Sequence, residues 1–292
     1  MAVSVPEGLQ LLESSDVDEY AGQVTAFLTE QPVARNVLLT VMGQARTGWP
    51  DWTRPPYFWW LTESGATVGS ASWTPPFPLL ISSLPPSAAV PLARSALARA
   101  ASVDAPLRAV TGPRDTAQVV AAALAEQTGT TVVERMRMVV HDLPAIRDVP
   151  RPPGGARRAT GGDTALVKQW MRAFNHEAHA GFDAGVDGTV RAWIDAGRVW
   201  LWIDDGEPRS TATHQPAVGG VVRVGAVYTP PQQRGRGYAR RLVYEVSELA
   251  LRTPGVRTCT LNTDAANPVS NAIYRQIGYA PVAEHAQFAL LG

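Results

Sequence analysis

Two hydrophobic periods run side by side in the last third of the chain. Residues 221–228, Val-Val-Arg-Val-Gly-Ala-Val-Tyr, form a short apolar run and predict a buried strand. Past a glycine-rich stretch the period changes. Ala239, Leu242, Val243, Val246, Leu249 and Ala250 recur at helical spacing, and Thr253-Pro254-Gly255 stops the helix they define. A second strand over 256–261 leads to a second helix over 268–277, with Asn267 as N-cap, Pro268 at the first position and Gly278 just past the end. Val269, Ile273 and Ile277 form its expected buried stripe, which turns Tyr274 about 100° away, toward a neighbouring cleft.

The rest of the C-terminal half reads as strand 156–159, helix 163–179, a shorter helix 188–196, strand 199–203, a turn at Asp204-Asp205-Gly206, strand 209–215 and a closing strand over 287–291. The N-terminal half follows the same order. Strand 9–12 precedes helices 16–29 and 33–44. Strands 57–61 and 67–73 follow, then helix 90–101, strand 107–111, helix 116–127 and strand 131–140. Between the halves, residues 143–155 carry too many Pro and Gly for regular structure and read as a linker. The expected organisation is residues 1–143, a linker over 144–155, and residues 156–292.

The loop before the first of these helices has the composition of a pyrophosphate cradle. Gly235 and Gly237 allow close backbone approach, and the helix start offers unpaired N–H groups and a positive dipole end. Arg234, Arg236, Arg240 and Arg241 add positive charge around it. A P-loop would need Lys and then Ser or Thr where Tyr238 and Ala239 stand. A dinucleotide fingerprint would need glycine at Arg240, and no acidic residue follows at the required distance.

Gln232-x-x-Gly235-x-Gly237 matches the Q/R-x-x-G-x-G/A signature of the GNAT superfamily of N-acetyltransferases, and the segment 256–279 resembles the strand and helix that follow it there. The resemblance implies an α/β (α+β) fold of two tandem GNAT-like domains. Each has a mixed, mostly antiparallel central sheet with a splayed parallel pair and flanking helices. It implies acetyl-CoA as acyl donor, held by backbone groups of Val227, Tyr228 and Thr229, by the signature residue Gln232, and by N–H groups of Arg234, Gly235, Arg236, Gly237, Tyr238 and Ala239. Asn267 matches a cofactor-contact position, and Tyr274 matches the general acid that protonates the departing thiolate. Where the N-terminal half should carry its own loop, residues 79–89 contain no glycine, so that half is expected to be degenerate and not to bind CoA.

The acceptor should be an amine, which must lose a proton before attack. His214, near a strand end, is the candidate base. His176, Glu177 and His179 fall where the family's acceptor pocket is lined, and their spacing is not H-E-x-x-H, so no metal is expected. Cys259 is the single cysteine, which excludes an intrachain disulfide, and it reads as a buried structural thiol.

Composition narrows the partners. The chain carries 26 basic and 26 acidic side chains, and this balance argues against nucleic acid or an acidic membrane. The N-terminus lacks signal-peptide character, no apolar run reaches membrane-spanning length, and with one cysteine the cytoplasm is the expected setting. Lys168 is the single lysine, a composition of high-GC bacterial genomes. The expected function is acetyl transfer from acetyl-CoA to a primary amine of a small or aminoacyl acceptor, by a monomer or homodimer. A CoA-binding regulatory protein without turnover, and a transferase for another acyl-CoA, are the other readings the residues leave open.

Overall fold

The computed structural model describes residues 8–48, 54–177 and 186–292. In chain order its elements are β1 (Leu9–Ser14), α1 (Val17–Glu30), α2 (Asn36–Arg46), β2 (Tyr57–Glu63), β3 (Ala66–Trp73), β4 (Leu79–Ile81), α3 (Ala89–Ser102), β5 (Ala109–Pro113), α4 (Arg114–Thr128) and β6 (Thr131–Asp142). They continue with β7 (Gly155–Arg158), α5 (Thr164–Glu177), α6 (Val186–Asp195), β8 (Val199–Asp204), β9 (Glu207–His214), β10 (Val221–Tyr228), α7 (Tyr238–Leu251), β11 (Thr258–Asp264), α8 (Pro268–Ile277) and β12 (Ala280–Leu291). Two compact units result. The first holds the described residues up to Val139 together with Ala283–Gly292, and the second holds Val140–Val282.

The two units repeat one plan of pairing. In the first, β1, β2, β3 and β4 pair antiparallel in succession, and β4 then pairs parallel with β5. In the second, β7 to β10 pair antiparallel in succession, and β10 pairs parallel with β11. A parallel pair needs a crossover, which α3 and α7 supply. This is the mixed, mostly antiparallel α/β architecture with flanking helices that the family resemblance implies.

Each crossover helix buries an apolar face on its sheet. On α7 this face is Leu242, Val243, Val246 and Ala250, packed with Trp202, Val222, Val224 and Leu261. Full burial of one such Leu or Val contributes roughly 1.5–3 kcal/mol. Leu249, read from the sequence as part of the face, is 41% exposed. On α3 the face is mostly alanine: Ala89, Ala93, Ala96 and Ala100 surround Leu92 in a core with Trp59, Leu61 and Trp73. Small side chains there leave room for the two indoles.

Three expectations differ from the structure. The closing strand does not complete the C-terminal half. β12 runs antiparallel to β5, with Phe288 opposite Val110 and Ala286 opposite Gly112, and Ala286, Phe288 and Leu290 enter the first unit's core. Their period-2 apolar face is what the pattern shows, but the partner strand is distant in sequence. Nor is 143–155 a loose tether. Leu143 and Val149 are buried in the second unit's core, Leu143 N–H donates to Cys259 O, Arg147 N–H donates to Ile277 O at 2.7 Å, and Trp202 Nε1 donates to Pro153 O. The prolines remove regular structure without removing packing. On α8, finally, Val269 is 68% exposed while Tyr274 and Ile277 are buried. The helix is turned so that the phenol ring lies in the core.

Candidate functional site

The site begins where β10 and β11 part. Their parallel ladder joins Val221 to Thr258, Val222 to Cys259 and Arg223 to Thr260, and goes no further. On its other side β10 stays attached to β9, pairing Val224 with His214, Gly225 with Thr213 and Tyr228 with Thr211. That register skips a residue between Gly225 and Tyr228, and Ala226 takes a φ of +45°. The extra residue is a β-bulge, which bends the strand and re-aims its edge. From Val224 onward β10 therefore presents a strand edge that no neighbouring strand occupies.

The loop that follows ends in an open cradle. A turn of 3-10 helix, Pro231–Gln233, leads to Gly235 at φ +78° and to Gly237 at φ +82°, the N-cap of α7. Both values lie in the left-handed region, where a Cβ is strained. A Cβ on Gly235 would meet nothing within 4 Å, so space outside the loop is open. No side chain caps α7, and its first main-chain bond is Arg241 N–H to Gly237 O at 3.0 Å. The N–H groups at the helix start are left to an outside acceptor. Arg234 N–H is the exception in the expected set, since it donates to Pro231 O.

The four arginines do not act as one cluster. Arg241 donates to Asp148, Glu245 and Val149 O and lies over the Tyr244 ring, so it ties the 143–155 stretch to α7. Arg234 donates through Nε to Thr229 O and through its NH2 group to Glu177 Oε2 at 2.6 Å. Tyr228 donates from its hydroxyl to Glu177 Oε1 at 3.2 Å. Arg240 donates to Gln276. Arg236 is exposed and makes no ion pair among the described residues.

The backbone carbonyls of Tyr228 and Thr229 are already engaged, the first by Ser210 Oγ and the second by Arg234. Val227, the remaining member of that expected trio, has no such side-chain bond among the described residues. Gln232 lies exposed in the turn, and Asn267 caps α8 through Oδ1, which accepts from Ser270 N–H at 3.0 Å.

A model of the Acetyltransferase (GNAT) family matches residues 165–279, which contain the parted strands, the cradle and α8. Unit 2 carries a GNAT acetyltransferase domain. The mycothiol acetyltransferase of Beutenbergia cavernae is 30% identical over 189 residues, 58% of this chain and 63% of that protein, so the match spans less than two thirds of the relative. A GCN5-related N-acetyltransferase from Sphaerobacter thermophilus superposes with a TM-score of 0.62 at 17% identity, over 98% of this chain and 96% of its own. A tandem GNAT protein from the clavulanic acid biosynthesis pathway gives 0.54 at 15% identity, over 97% and 99%. These likenesses concern the fold along the whole chain.

Within the GNAT domain, Tyr274 is buried against Tyr279, with ring centroids 6.1 Å apart at 76°. Burial alone pushes its phenol up to about 12. Even an ordinary phenol, near 10, holds its proton more tightly than a thiol near 8.5, and burial widens the gap. Full transfer to a free thiolate would run uphill by roughly 5 kcal/mol. The side chain therefore stays protonated, a neutral hydrogen-bond donor, through the neutral and moderately alkaline range.

His214 is opposite Val224, with its ring facing Gln215 O at 3.3 Å. Burial, then the charges of Arg198 and Arg158, holds its pKa below the ordinary imidazole value, which makes it a weaker base than free histidine. Cys259 is fully buried, and burial with the Asp142 charge pushes its thiol up to about 12, so no thiolate forms at neutral pH. His179 lies outside the described residues. Among the described residues no group of three or more His, Cys, Asp or Glu could hold a metal ion, and no helix is long and apolar enough to cross a membrane.

Sequence reading passed over two features of this site. The Glu177, Tyr228 and Arg234 triad joins positions 51 and 57 residues apart, and no local signal announces it. Arg223 did leave a signal, as a charge inside the apolar strand Val221–Tyr228.

Proposed function

We propose that this protein transfers an acetyl group from acetyl-CoA to a primary amine on a small-molecule or aminoacyl acceptor, by direct attack and in its second unit. The observation that carries this reading is the pairing of an unoccupied strand edge, from Val224 onward, with an uncapped helix start behind Gly237. An extended amide-bearing arm fits the first, and a pyrophosphate fits the second. Val227 offers the edge's backbone groups, Gly235 through Ala239 offer N–H groups, Arg236 offers a cation with no ion pair among the described residues, and Asn267 stands at the start of α8. Bound acetyl-CoA would supply the thioester carbonyl that the amine attacks. Tyr274 holds its proton at Oη and donates a hydrogen bond toward the sulfur as the carbon–sulfur bond breaks.

The first unit takes no cofactor in this proposal. It repeats the pairing plan, but the stretch between β4 and α3 has no glycine and no residue with positive φ, and α3 follows an ordinary right-handed Ala88. Its strands β4 and β5 also lie close just past their last ladder pair, Leu80 with Thr111: a Cβ on Gly112 would be 2.5 Å from Ile81 O.

Calorimetry with acetyl-CoA, followed by thiol release with a broad amine panel, tests the reading. Gly237→Glu should abolish cofactor binding, because it places a strained backbone and a negative charge where a pyrophosphate would lie. Undiminished affinity in that variant would sink the proposal.

A further inference from the structure

Arg223 occupies the last paired position before β10 and β11 separate. Its neighbours Val222 and Val224 send their side chains into the α7 core, so strand alternation turns Arg223 to the opposite face. On that face its register neighbours are polar. Thr260 is its partner across the parallel ladder, and Gln215, whose N–H donates to Arg223 O at 2.8 Å, is its partner across the antiparallel one. Thr260, Gln215 and Thr213 are all buried.

The side chain leaves the strand on this polar face. Arg223 is half-buried; its Nε is sealed from solvent and has no hydrogen-bond partner among the described residues, and no neighbouring charge acts on the side chain. Burial alone pushes its pKa down to about 10, with no neighbouring charge to offset it. A half-buried charge whose Nε is sealed and unpaired opposes folding, and an apolar residue of the same length would pack there more easily. A polar, acid-free recess around a forked cation is the complement of a planar monoanion, which a guanidinium binds through two parallel hydrogen bonds. A phosphate dianion would call for further cations, and the register neighbours here are two hydroxyls and an amide.

Resting on the transferase reading, we propose that Arg223 binds the carboxylate of the acceptor, so that the substrate class of this protein is amines that also carry a carboxylate. Placed at the closed end of the gap, Arg223 sets which amine can lie along β10. It is a specificity residue and takes no part in the proton transfers.

Matched pairs test this: glycine against methylamine, 4-aminobutyrate against butylamine, and L-phenylalanine against 2-phenylethylamine. Each is titrated calorimetrically into the CoA-saturated protein and then assayed for thiol release with acetyl-CoA. At least one acid should bind about tenfold or more tightly than its carboxylate-free twin. Arg223→Met should bring that pair to parity while leaving acetyl-CoA affinity unchanged. The ligand-free Arg223→Met protein should melt at the same temperature or higher, an outcome that a purely structural arginine would not give. Arg223→Lys, which keeps the charge but loses the fork, should retain part of the preference. Parity in every wild-type pair, preference surviving in Arg223→Met, or collapse of that variant's fold would each overturn the proposal. Acid binding without thiol release would remove the transferase reading and leave the carboxylate site standing. Thiol release confined to the carboxylate-free amines would do the reverse.

Discussion

In the proposed transfer Tyr274 is the hydrogen-bond donor to the departing sulfur, and its environment specifies how it can act. Held neutral by burial, with its pKa pushed up to about 12, it cannot produce an alkaline fall in rate until the pH passes about 11. Tyr274→Phe should lower kcat by about 10²-fold or more and leave acetyl-CoA affinity nearly untouched. A wild-type limb in kcat near pH 9 that vanishes in this variant would contradict the buried, neutral phenol. His214→Gln should change kcat/KM by no more than about threefold, because burial and two arginines have weakened it as a base; a loss of about 10²-fold would restore it to that role. What the sequence made legible here was residue type at motif spacing. Gly235 and Gly237 were readable because positive φ is a property of glycine itself, and Asn267 because capping is local. The bonds of Arg241 to Asp148 and Val149 and of Arg234 to Glu177 were not, since they span tens of residues, and the unpaired Nε of Arg223 was not, since it is a missing partner.

At the scale of elements, α8 shows how much rests on one left-handed residue. Gly278 ends the helix at φ +114°, and a Cβ there would lie 2.1 Å from Ala145 O, in the stretch before β7. Gly278→Ala should therefore cost about 2 kcal/mol or more, the left-handed penalty plus displacement of the packed 143–155 segment. Urea unfolding should show a lower midpoint with an unchanged slope. Gly129→Ala, which is left-handed but has no atom within 4 Å of its Cβ, should cost only about 1 kcal/mol. The sequence marked Gly278 as a helix end but gave no hint of Ala145. The stripe of α8 was misread for a related reason. Val269, Ile273 and Ile277 satisfy helical spacing as well as Tyr274 and Ile277 do, and only the surface on which the helix lands distinguishes the two faces.

For the whole molecule, the order of elements was legible in both halves because each switch from period 2 to helical period is local. The ownership of β12 was not, because an alternating strand matches any sheet edge with the right face. Phe288 is buried in the first unit's core, and Phe288→Ala should destabilise that unit by about 3–5 kcal/mol. Hydrogen exchange should report the loss in β5 and β4, with α7 keeping its protection, and faster exchange in α7 alone would contradict the placement of this strand. The arrangement also orders events at the ribosome. Val140–Val282 can finish folding once residue 282 has cleared the exit tunnel, although it is made after most of the first unit. The earlier half must wait, with β5 lacking its β12 partner and part of an apolar core uncovered, until Ala286, Phe288 and Leu290 arrive. The part of the chain synthesised first is thus the part most exposed to chaperones and to misassociation.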